Sequence, residues 1–361
     1  MRHRSIPLGV VLVVLGIGCH REVEMTPLVE RTIYQTDRFY DVQAISKDRA
    51  IVVGYGGKII ETRDRGRNWT VLPSGTDSAL YGVRFVDDNT GWIVGQDGLV
   101  LFTKDGGKTW TKQESNATFE EGDGMAKRAY LFNVDATDPE HVWAVGDRSV
   151  LASSSDGGQT WRARKIAMES DLSGGQSLAA ADPIFYDVRF VDAQNGWIVG
   201  EFGKILRTRD GGETWKEQTQ TVMEGTEYFD LLDLPTLFGL DARDRDNAVA
   251  AGLEAHIART RNAGEKWAYD QIEGGEVKLQ DPLYDVVEFA DGTGWAVGAA
   301  GQVVKTEAGS DVWKRADIGQ DVLTWLRAVS FSDPQNGWMV GGFGLIYYTE
   351  DGGKTWLPVQ G

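Results

Sequence analysis

A phrase of 31 residues that recurs along the chain constrains its fold more than any other feature. The clearest copy runs from Phe185 to Trp215, and close copies begin at Tyr81 and Arg327. Self-similarity at a fixed period indicates a repeat architecture, in which one structural unit is stacked several times. Seven repeats can be counted, because each ends on a tryptophan: Trp69, Trp110, Trp161, Trp215, Trp267, Trp313 and Trp356.

Each repeat has the pattern of four short β-strands. Runs rich in β-branched and aromatic residues alternate with turns rich in Gly, Asp and Asn. Four strands in a repeat of 41 residues or more is the period of a propeller blade. The sequence therefore predicts an all-β fold, a seven-bladed β-propeller with four-stranded antiparallel blades over residues 39–361. In the fourth repeat the predicted strands are Tyr186 to Val191, Trp197 to Gly200, Lys204 to Thr208 and Thr214 onward.

The tryptophans support this arrangement, because twelve of the thirteen occupy repeated positions and only Trp325 does not. Burying an indole removes on the order of 200 Å² from water, so we expect these side chains to pack between neighbouring sheets. Few aromatic residues are then left to form a sugar-binding platform. Besides the seven that end the repeats, five share one position in the second strand: Trp92, Trp143, Trp197, Trp295 and Trp338.

The end of the repeat is the Asp-box, with the pattern Ser/Thr-x-Asp-x-Gly-x-x-Trp. A short carboxylate can accept hydrogen bonds from the amides of its own turn, and glycine accepts the positive φ that the turn needs. Seven copies spaced round a ring cannot converge on one substrate. We therefore expect a structural role for the residues at the third position, which are Asp64, Asp105, Asp156, Asp210, Asn262 and Asp351.

The N-terminus has the features of an export signal. A basic start precedes an apolar run from Ile6 to Gly18, which is short for a transmembrane span. Cys19, the only cysteine, follows at once in the sequence Leu-Gly-Ile-Gly-Cys, which resembles a bacterial lipobox. We expect residues 1–18 to be a signal peptide, Cys19 to be lipidated, and residues 19–38 to tether the propeller to the periplasmic face of a membrane. Ordinary secretion into the periplasm or lumen and a retained anchor are the alternatives, and Val29 to Tyr34 is a candidate extra strand.

The formal net charge of −17 argues against nucleic acid as a partner, since phosphate binding needs a basic surface. Long links between repeats carry many of the acidic residues. In a propeller these links lie on the same face as the turns between second and third strands, so one face bears all the insertions. The insertions run from Lys112 to Ala129, Lys165 to Ile184, Gln218 to Thr236 and Gln271 to Pro282.

Function is concentrated in loops that a rigid scaffold positions, so this insertion-bearing face is the predicted binding face for a protein partner. The candidate contacts are Glu120, Glu121, Asp123, Glu224, Glu227, Asp230 and Asp233, with Glu169, Asp171, Glu273 and Glu276 as further acidic residues of the same links.

Asp-boxes also occur in sialidases, but the fuller phrase resembles a different family. Its pattern is Tyr-x-Val-x-Phe, then Gly-Trp-x-Val-Gly-x-x-Gly-x-Ile, then Thr-x-Asp-Gly-Gly-x-Thr-Trp, and it covers about residues 39–360. It is similar to the photosystem II assembly and stability factors and their bacterial relatives. That resemblance implies a seven-bladed, non-enzymatic scaffold, which binds a membrane-associated protein during assembly of a complex. We expect a monomer without cofactor or metal.

The photosynthetic members of that family carry an arginine patch, and the nearest candidates here are Arg84 and Arg189. They occupy one aligned position of the first strand, which faces the ring axis. We expect either ion pairs between neighbouring blades or an anion or peptide site at the mouth of the channel. Round the seven repeats this position reads Gln43, Arg84, Asp135, Arg189, Asp241, Val287 and Ser330.

Two other functions remain open from the residues alone. A sialidase-like or other glycoside hydrolase would use the central pocket and two positioned carboxylates. However, no Arg-Ile/Leu-Pro element is present in the chain after Cys19, and the histidines do not cluster in sequence. A carbohydrate- or cation-binding module would use the acidic loops, although no twelve-residue calcium loop pattern is present. We predict no catalytic residue.

Overall fold

The turn residues of the repeat fold each copy into a meander of antiparallel strands. In the fourth blade, Gly203, Gly211 and Gly212 have φ values of 60°, 75° and 90°, which glycine adopts without steric cost. The computed structural model describes residues 31–120, 125–167, 182–223, 233–273 and 279–359. Within these residues seven sheets of four or five strands follow one another along the chain, and the predicted seven-bladed propeller is confirmed.

The blades are formed by β1–β4, β5–β8, β11–β14, β15–β18, β19–β22, β24–β27 and β28–β31 in chain order. The strands are β1 Phe39–Ala44, β2 Ala50–Gly54, β3 Ile59–Thr62, β4 Thr70–Leu72, β5 Leu80–Phe85, β6 Gly91–Gly95, β7 Leu99–Thr103, β8 Thr111–Glu114, β9 Thr118–Glu120, β10 Ala126–Arg128, β11 Leu131–Ala136, β12 Val142–Gly146, β13 Val150–Ser154, β14 Arg162–Lys165, β15 Phe185–Phe190, β16 Gly196–Gly200, β17 Ile205–Thr208, β18 Lys216–Glu217, β19 Leu237–Ala242, β20 Ala248–Gly252, β21 Ile257–Thr260, β22 Ala268–Tyr269, β23 Gln271–Glu273, β24 Leu283–Glu288, β25 Gly294–Gly298, β26 Val303–Thr306, β27 Val312–Arg315, β28 Leu326–Asp333, β29 Asn336–Gly341, β30 Ile346–Thr349 and β31 Leu357–Pro358.

The described parts of the insertions contain a strand pair, a helical turn and an added blade strand. The strands β9 and β10 pair as a small hairpin between the second and third blades. A helical turn, Gln220–Met223, follows the fourth blade. The strand β23 pairs in parallel with β27, so the sixth blade has five strands rather than the predicted four. The repeat pattern could not show this strand, because β23 comes from an inserted link.

The apolar core lies between adjacent sheets. Trp143 of the third blade stacks on Phe190 of the fourth, with ring centroids 3.6 Å apart and an interplanar angle of 6°. Trp69 of the first blade meets Trp338 of the seventh edge-on at 5.6 Å. All five second-strand tryptophans are buried. Apolar surface removed from water between the sheets is therefore a main source of stability for the ring.

In the described part of the chain, the seventh and first blades meet without sharing a strand. Arg38 forms an isolated bridge with Gly342, and the amide of Ala44 donates to the hydroxyl of Ser330 at 3.0 Å. Thr32 already contacts the propeller, since its hydroxyl donates to the carbonyl of Trp69 at 3.1 Å. Residues 31–34 are not a strand, so the described part of the candidate extra strand is absent.

Over the described residues, no helix has both the length and the apolar character needed to cross a bilayer.

Candidate partner-binding site at the mouth of the axial channel

Every first strand carries a β-bulge at its second residue. In the fourth blade the register with β16 shifts between Phe185 and Asp187, and the other six blades show the same shift. A bulge leaves one residue outside the ladder and redirects its side chain. As a result two successive residues, Tyr186 and Asp187, both line the axial channel.

The bulged residue is aromatic in six blades and arginine in the seventh. Each ring contacts the next round the channel: the centroids of neighbouring rings are 5.4, 5.5, 5.6, 5.0 and 5.6 Å apart. The guanidinium of Arg327 lies 5.5 Å from the ring centroid of Tyr284. All seven side chains are half-buried, so part of each is open to solvent. We call this set the aromatic collar: Tyr40, Tyr81, Phe132, Tyr186, Phe238, Tyr284 and Arg327.

The collar lies on the insertion-bearing face. First strands begin where second strands end, as the pairing of Phe185 with Gly200 shows, so the collar is at the same end as the turns between second and third strands. The β9–β10 hairpin is also at this end, because the guanidinium of Arg148, in one of those turns, lies 4.9 Å from the ring centroid of Phe119. The channel mouth and the elaborated loops therefore share one face.

Carboxylates follow the collar residues along three first strands; Asp187 is buried, and Asp41 and Asp285 are half-buried. Burial raises the pKa of Asp41 to about 6 and the pKa values of Asp187 and Asp285 to about 7. Each carboxylate also accepts a backbone N–H from the next blade: Val83 to Asp41 at 2.8 Å, Leu240 to Asp187 at 2.7 Å and Val329 to Asp285 at 2.8 Å. These carboxylates thus join neighbouring blades at the channel wall.

The two candidate arginines face neighbouring blades. Nε of Arg84 lies 2.9 Å from Oδ1 of Asp135 in the next blade, and Nε of Arg189 donates to the carbonyl of Leu240 at 3.1 Å. Burial disfavours the charge of Arg189, but nearby carboxylates, Asp187 foremost, outweigh it and raise its pKa. Arg84 thus lies in an ion pair between neighbouring blades, which is one of the two arrangements expected from the sequence.

The acidic candidates are only partly described. Glu120 ends β9 and Asp233 precedes the fifth blade, and both are exposed. Neither forms an ion pair with another described residue. The remaining predicted contacts lie outside the described residues, namely Glu121, Asp123, Glu224, Glu227 and Asp230, as do Glu169, Asp171, Glu276 and Cys19.

The Asp-box residues are engaged within their own turns. In the fourth blade the hydroxyl of Thr208 and the amide of Thr214 donate to Oδ1 of Asp210 at 2.8 and 2.9 Å. The same pair of bonds recurs at Asp64, Asp105, Asp156, Asn262 and Asp351. Within the described ranges, no group of three or more His, Cys, Asp or Glu side chains could hold a metal ion.

The sequence interpretation missed the collar. Its aromatic residues repeat once per blade at the start of the first strand, and that recurrence was the available signal. These residues line the channel, unlike the core tryptophans, because the bulge redirects their side chains. The bulge depends on pairing between strands, which the sequence alone does not show. The acidic residues Asp41, Asp187 and Asp285 were missed for the same reason, since they directly follow the bulge.

The fold and this site define the chain as a seven-bladed Asp-box propeller with an aromatic channel mouth. The sequence profile of a family described as "Photosynthesis system II assembly factor YCF48" matches residues 24–122, 176–235 and 228–359. The chain belongs to this family.

Individual relatives agree with that assignment. The photosystem II assembly lipoprotein Ycf48 of Synechococcus sp. (strain CC9902) is 26% identical over 192 residues, which is 53% of this chain and 50% of the relative. The chain thus aligns with about half the length of that curated relative.

Solved structures share the fold. A structure entitled "YCF48 bound to D1 peptide" is 18% identical, with a TM-score of 0.62, and the match covers 87% of this chain and 93% of the other. An ancestral GH74 enzyme is 11% identical, with a TM-score of 0.62 and coverage of 88% and 46%. Both assembly factors and enzymes therefore use this fold, and function has to be argued from the site.

Proposed function

We propose that this protein is a non-enzymatic scaffold that holds a peptide segment of a membrane-protein subunit at the aromatic collar while a complex assembles. The observation that carries the proposal is the collar itself, a continuous set of half-buried rings on the insertion-bearing face. Aromatic side chains offer large contact areas at low cost in conformational entropy. Arg327 completes the ring with a cation that can bind a peptide carbonyl or carboxylate.

Family membership supports a peptide as the ligand. The YCF48 structure was solved with a D1 peptide, and the proposal transfers that class of ligand, a segment of a membrane subunit, to this chain. The exposed acidic residues Glu120 and Asp233 belong to the same face, and we assign them a role at the rim of the partner contact. Arg84 and Arg189 support this site from within the channel wall.

The carboxylates near the collar favour a structural role over catalysis. The pKa values of Asp187 and Asp285 are in the range that suits a general acid or base. However, both oxygens of Asp285 accept backbone amides, from Val286 at 2.9 Å and Val329 at 2.8 Å. A carboxylate engaged in this way has little freedom to serve a substrate. Turnover of any member of a panel of fluorogenic glycosides would contradict the proposal.

We place the scaffold on the outer side of the cell membrane, anchored through Cys19. The lipobox-like sequence and the lipoprotein in the name of the Synechococcus relative support this placement. A lipid anchor would confine the propeller near membrane subunits and raise its effective concentration for them. We propose that it acts as a monomer.

The test replaces two collar residues. In the variant Tyr81→Ala/Tyr186→Ala, we expect at least a tenfold loss of affinity for a fluorescent D1 peptide, because two of the six aromatic rings of the collar are removed from one contact. The matched control is Tyr81→Phe/Tyr186→Phe, which keeps both rings and should keep most of the affinity. Recovery of partner proteins from the membranes of the source cell should follow the same order.

Equal affinity and equal recovery for the alanine variant and the wild type would exclude the collar as the binding site. If the alanine variant still binds but deletion of the β9–β10 hairpin removes binding, the partner contacts the loops and not the channel mouth.

A further inference from the structure

Exposed apolar side chains are concentrated beside the collar, where the seventh and first blades meet. Three of the seven large apolar side chains that are exposed in the described structure belong to this region, Tyr34, Tyr55 and Phe343, and a fourth, Leu323, lies in the link from the sixth to the seventh blade. Leu323 is 92% exposed and Phe343 is 66% exposed. We call these four residues, together with Trp325, the aromatic sector.

Contacts through Gly342 and Gly344 connect Trp325, Tyr55 and Tyr34 across the junction of the seventh and first blades. The ring of Trp325 stacks on collar residue Tyr40, with centroids 6.1 Å apart, and lies directly against Gly342. Arg38 bridges Gly342 and places its guanidinium 5.8 Å from the ring centroid of Tyr55. On the other side of this junction, Gly344 packs on the backbone carbonyl of Tyr34, next to Phe343.

Phe343 has a backbone conformation that is unusual for a large residue. Its φ is 58°, in the left-handed region that favours glycine. The equivalent residue has a positive φ in every blade, and it is Phe202 in the fourth blade, with φ 54°, and Gly56 in the first, with φ 67°. The conformation thus belongs to the repeat, but Phe202 is half-buried whereas Phe343 is exposed, so we look for a partner of Phe343 outside the chain.

We infer that the aromatic sector lies on a lipid bilayer and orients the propeller with its insertion-bearing face toward the membrane. The first argument is reach. Tyr34 is 15 residues from Cys19, and an extended chain spans at most about 3.6 Å per residue, roughly 54 Å in all. An anchor at Cys19 would therefore hold Tyr34 within that distance of lipid, and the sector is the part of the propeller that the anchored chain enters first. The apolar run from Ile6 to Gly18 would be removed by processing and could not cover it.

The second argument is chemistry. Tyrosine and tryptophan are enriched at membrane–water interfaces, where an apolar ring and a polar edge are both satisfied. Two cations accompany the rings here: Arg38, and Lys58, whose ammonium lies 5.1 Å from the ring centroid of Tyr34. Lys58 pairs with Asp37, whereas no carboxylate of the described chain is within ion-pair distance of Arg38. Exposed aromatic rings next to the guanidinium of Arg38 are able to bind lipid headgroups.

The third argument is charge asymmetry. The acidic insertions belong to the links from the second to the sixth blade, which leaves the junction of the seventh and first blades free of them. The link that carries Leu323 holds two exposed carboxylates, Asp317 and Asp321, which is fewer than each acidic insertion holds, so an anionic bilayer would repel this part of the face less than the insertions. The inference goes beyond the proposed function, because it concerns lipid contact and can be tested without any protein partner.

The experiment uses the membrane-attached full chain in vesicles of phosphatidylcholine and phosphatidylglycerol. Because Cys19 is the only cysteine and its thiol would carry the lipid, Leu323→Cys introduces a single free thiol for a polarity-sensitive dye. The matched control is Lys108→Cys, which is exposed in an Asp-box turn on the opposite face. At position 323 we expect the dye emission to shift to shorter wavelength when vesicles are added. We also expect nitroxide-labelled lipids to quench this emission several-fold more strongly at position 323 than at position 108.

A second variant tests the named side chains. Adding Tyr55→Glu/Phe343→Glu to Leu323→Cys should abolish the shift and the extra quenching while the melting temperature stays near that of the parent. Equal quenching at positions 323 and 108 would overturn the inference, as would a full chain that does not attach to vesicles. A shift at position 323 that appears only after a membrane protein partner is added would also overturn it, and would identify the sector as a protein contact.

Discussion

The backbone amide of Phe190 donates to Oδ2 of Asp135 across the boundary between the third and fourth blades, at 2.6 Å. The other oxygen of Asp135 lies 2.9 Å from Nε of Arg84 in the second blade. One buried carboxylate therefore joins three consecutive blades beside the channel. Similar bonds at Asp41, Asp187 and Asp285 extend this type of connection round the ring.

Replacing Asp135 with alanine should destabilise the propeller by about 3 kcal/mol, because it leaves a buried amide unsatisfied and removes the partner of Arg84. The change Arg84→Ala should cost less, about 1 kcal/mol, since the Arg84 side chain is 34% exposed. The double variant should cost less than the sum of the two, as residues in direct contact are coupled. Chemical denaturation measures all three. Additive costs would contradict the coupling.

The Asp-box can be tested by a change that occurs naturally in another blade. Asp210→Ala removes the acceptor of the Thr208 and Thr214 bonds, so we expect a loss of about 1 kcal/mol in unfolding free energy. Asp210→Asn should cost less, because Asn262 already makes the equivalent bonds in the fifth blade, at 3.0 Å. Peptide affinity should not change in either variant. A loss of affinity without a loss of stability would assign this turn to the binding site.

Two core tryptophans differ in one hydrogen bond. The indole nitrogen of Trp143 donates to the carbonyl of Gly211 at 2.9 Å, whereas that of Trp92 is buried with no partner in the described structure. Both Trp143→Phe and Trp92→Phe lose packing, but only the first also leaves a carbonyl unsatisfied. We expect Trp143→Phe to be more destabilising by about 1 kcal/mol, as measured by thermal or chemical unfolding. The reverse order would contradict the assignment of that bond.

Stability should have a maximum in mildly acidic solution. Burial raises the pKa of Asp285 to about 7, above its unfolded value, so the folded state binds the proton more tightly. Its stabilising contribution is complete below pH 4 and is lost as the pH rises through 7. Hydrogen bonds from Thr109 lower the pKa of Asp105 to about 2, so that contribution is present above pH 4 and is lost as the pH falls towards 2.

The melting temperature should therefore be a few degrees higher near pH 5 than near pH 8, and should fall again in stronger acid. Asp285→Asn, which resembles the protonated acid, should reduce the slope between pH 5 and pH 8. A melting temperature that rises steadily from pH 5 to pH 8 would contradict the burial effect.

Features that depend on neighbouring residues in sequence were predictable. The strand predicted from Tyr186 to Val191 is found as Phe185–Phe190, because alternation and glycine turns are encoded within each repeat. Burial of Trp197 followed from its place in the second strand. The partner of Arg189 did not follow in the same way, since Leu240 lies 51 residues away in the next blade. The collar was not predicted because the bulge at Tyr186 exists only once β15 pairs with β16.

The seam between the seventh and first blades has a topological consequence. All seven blades are built from strands that are consecutive in the chain, and the seam is held by side-chain contacts such as Trp69 with Trp338 and by the bridge between Arg38 and Gly342. Joining the two ends of the propeller with a short linker and cutting a different interblade link would leave each sheet whole. Circular permutation should therefore leave the fold intact, and any of the seven blades could be the N-terminal one.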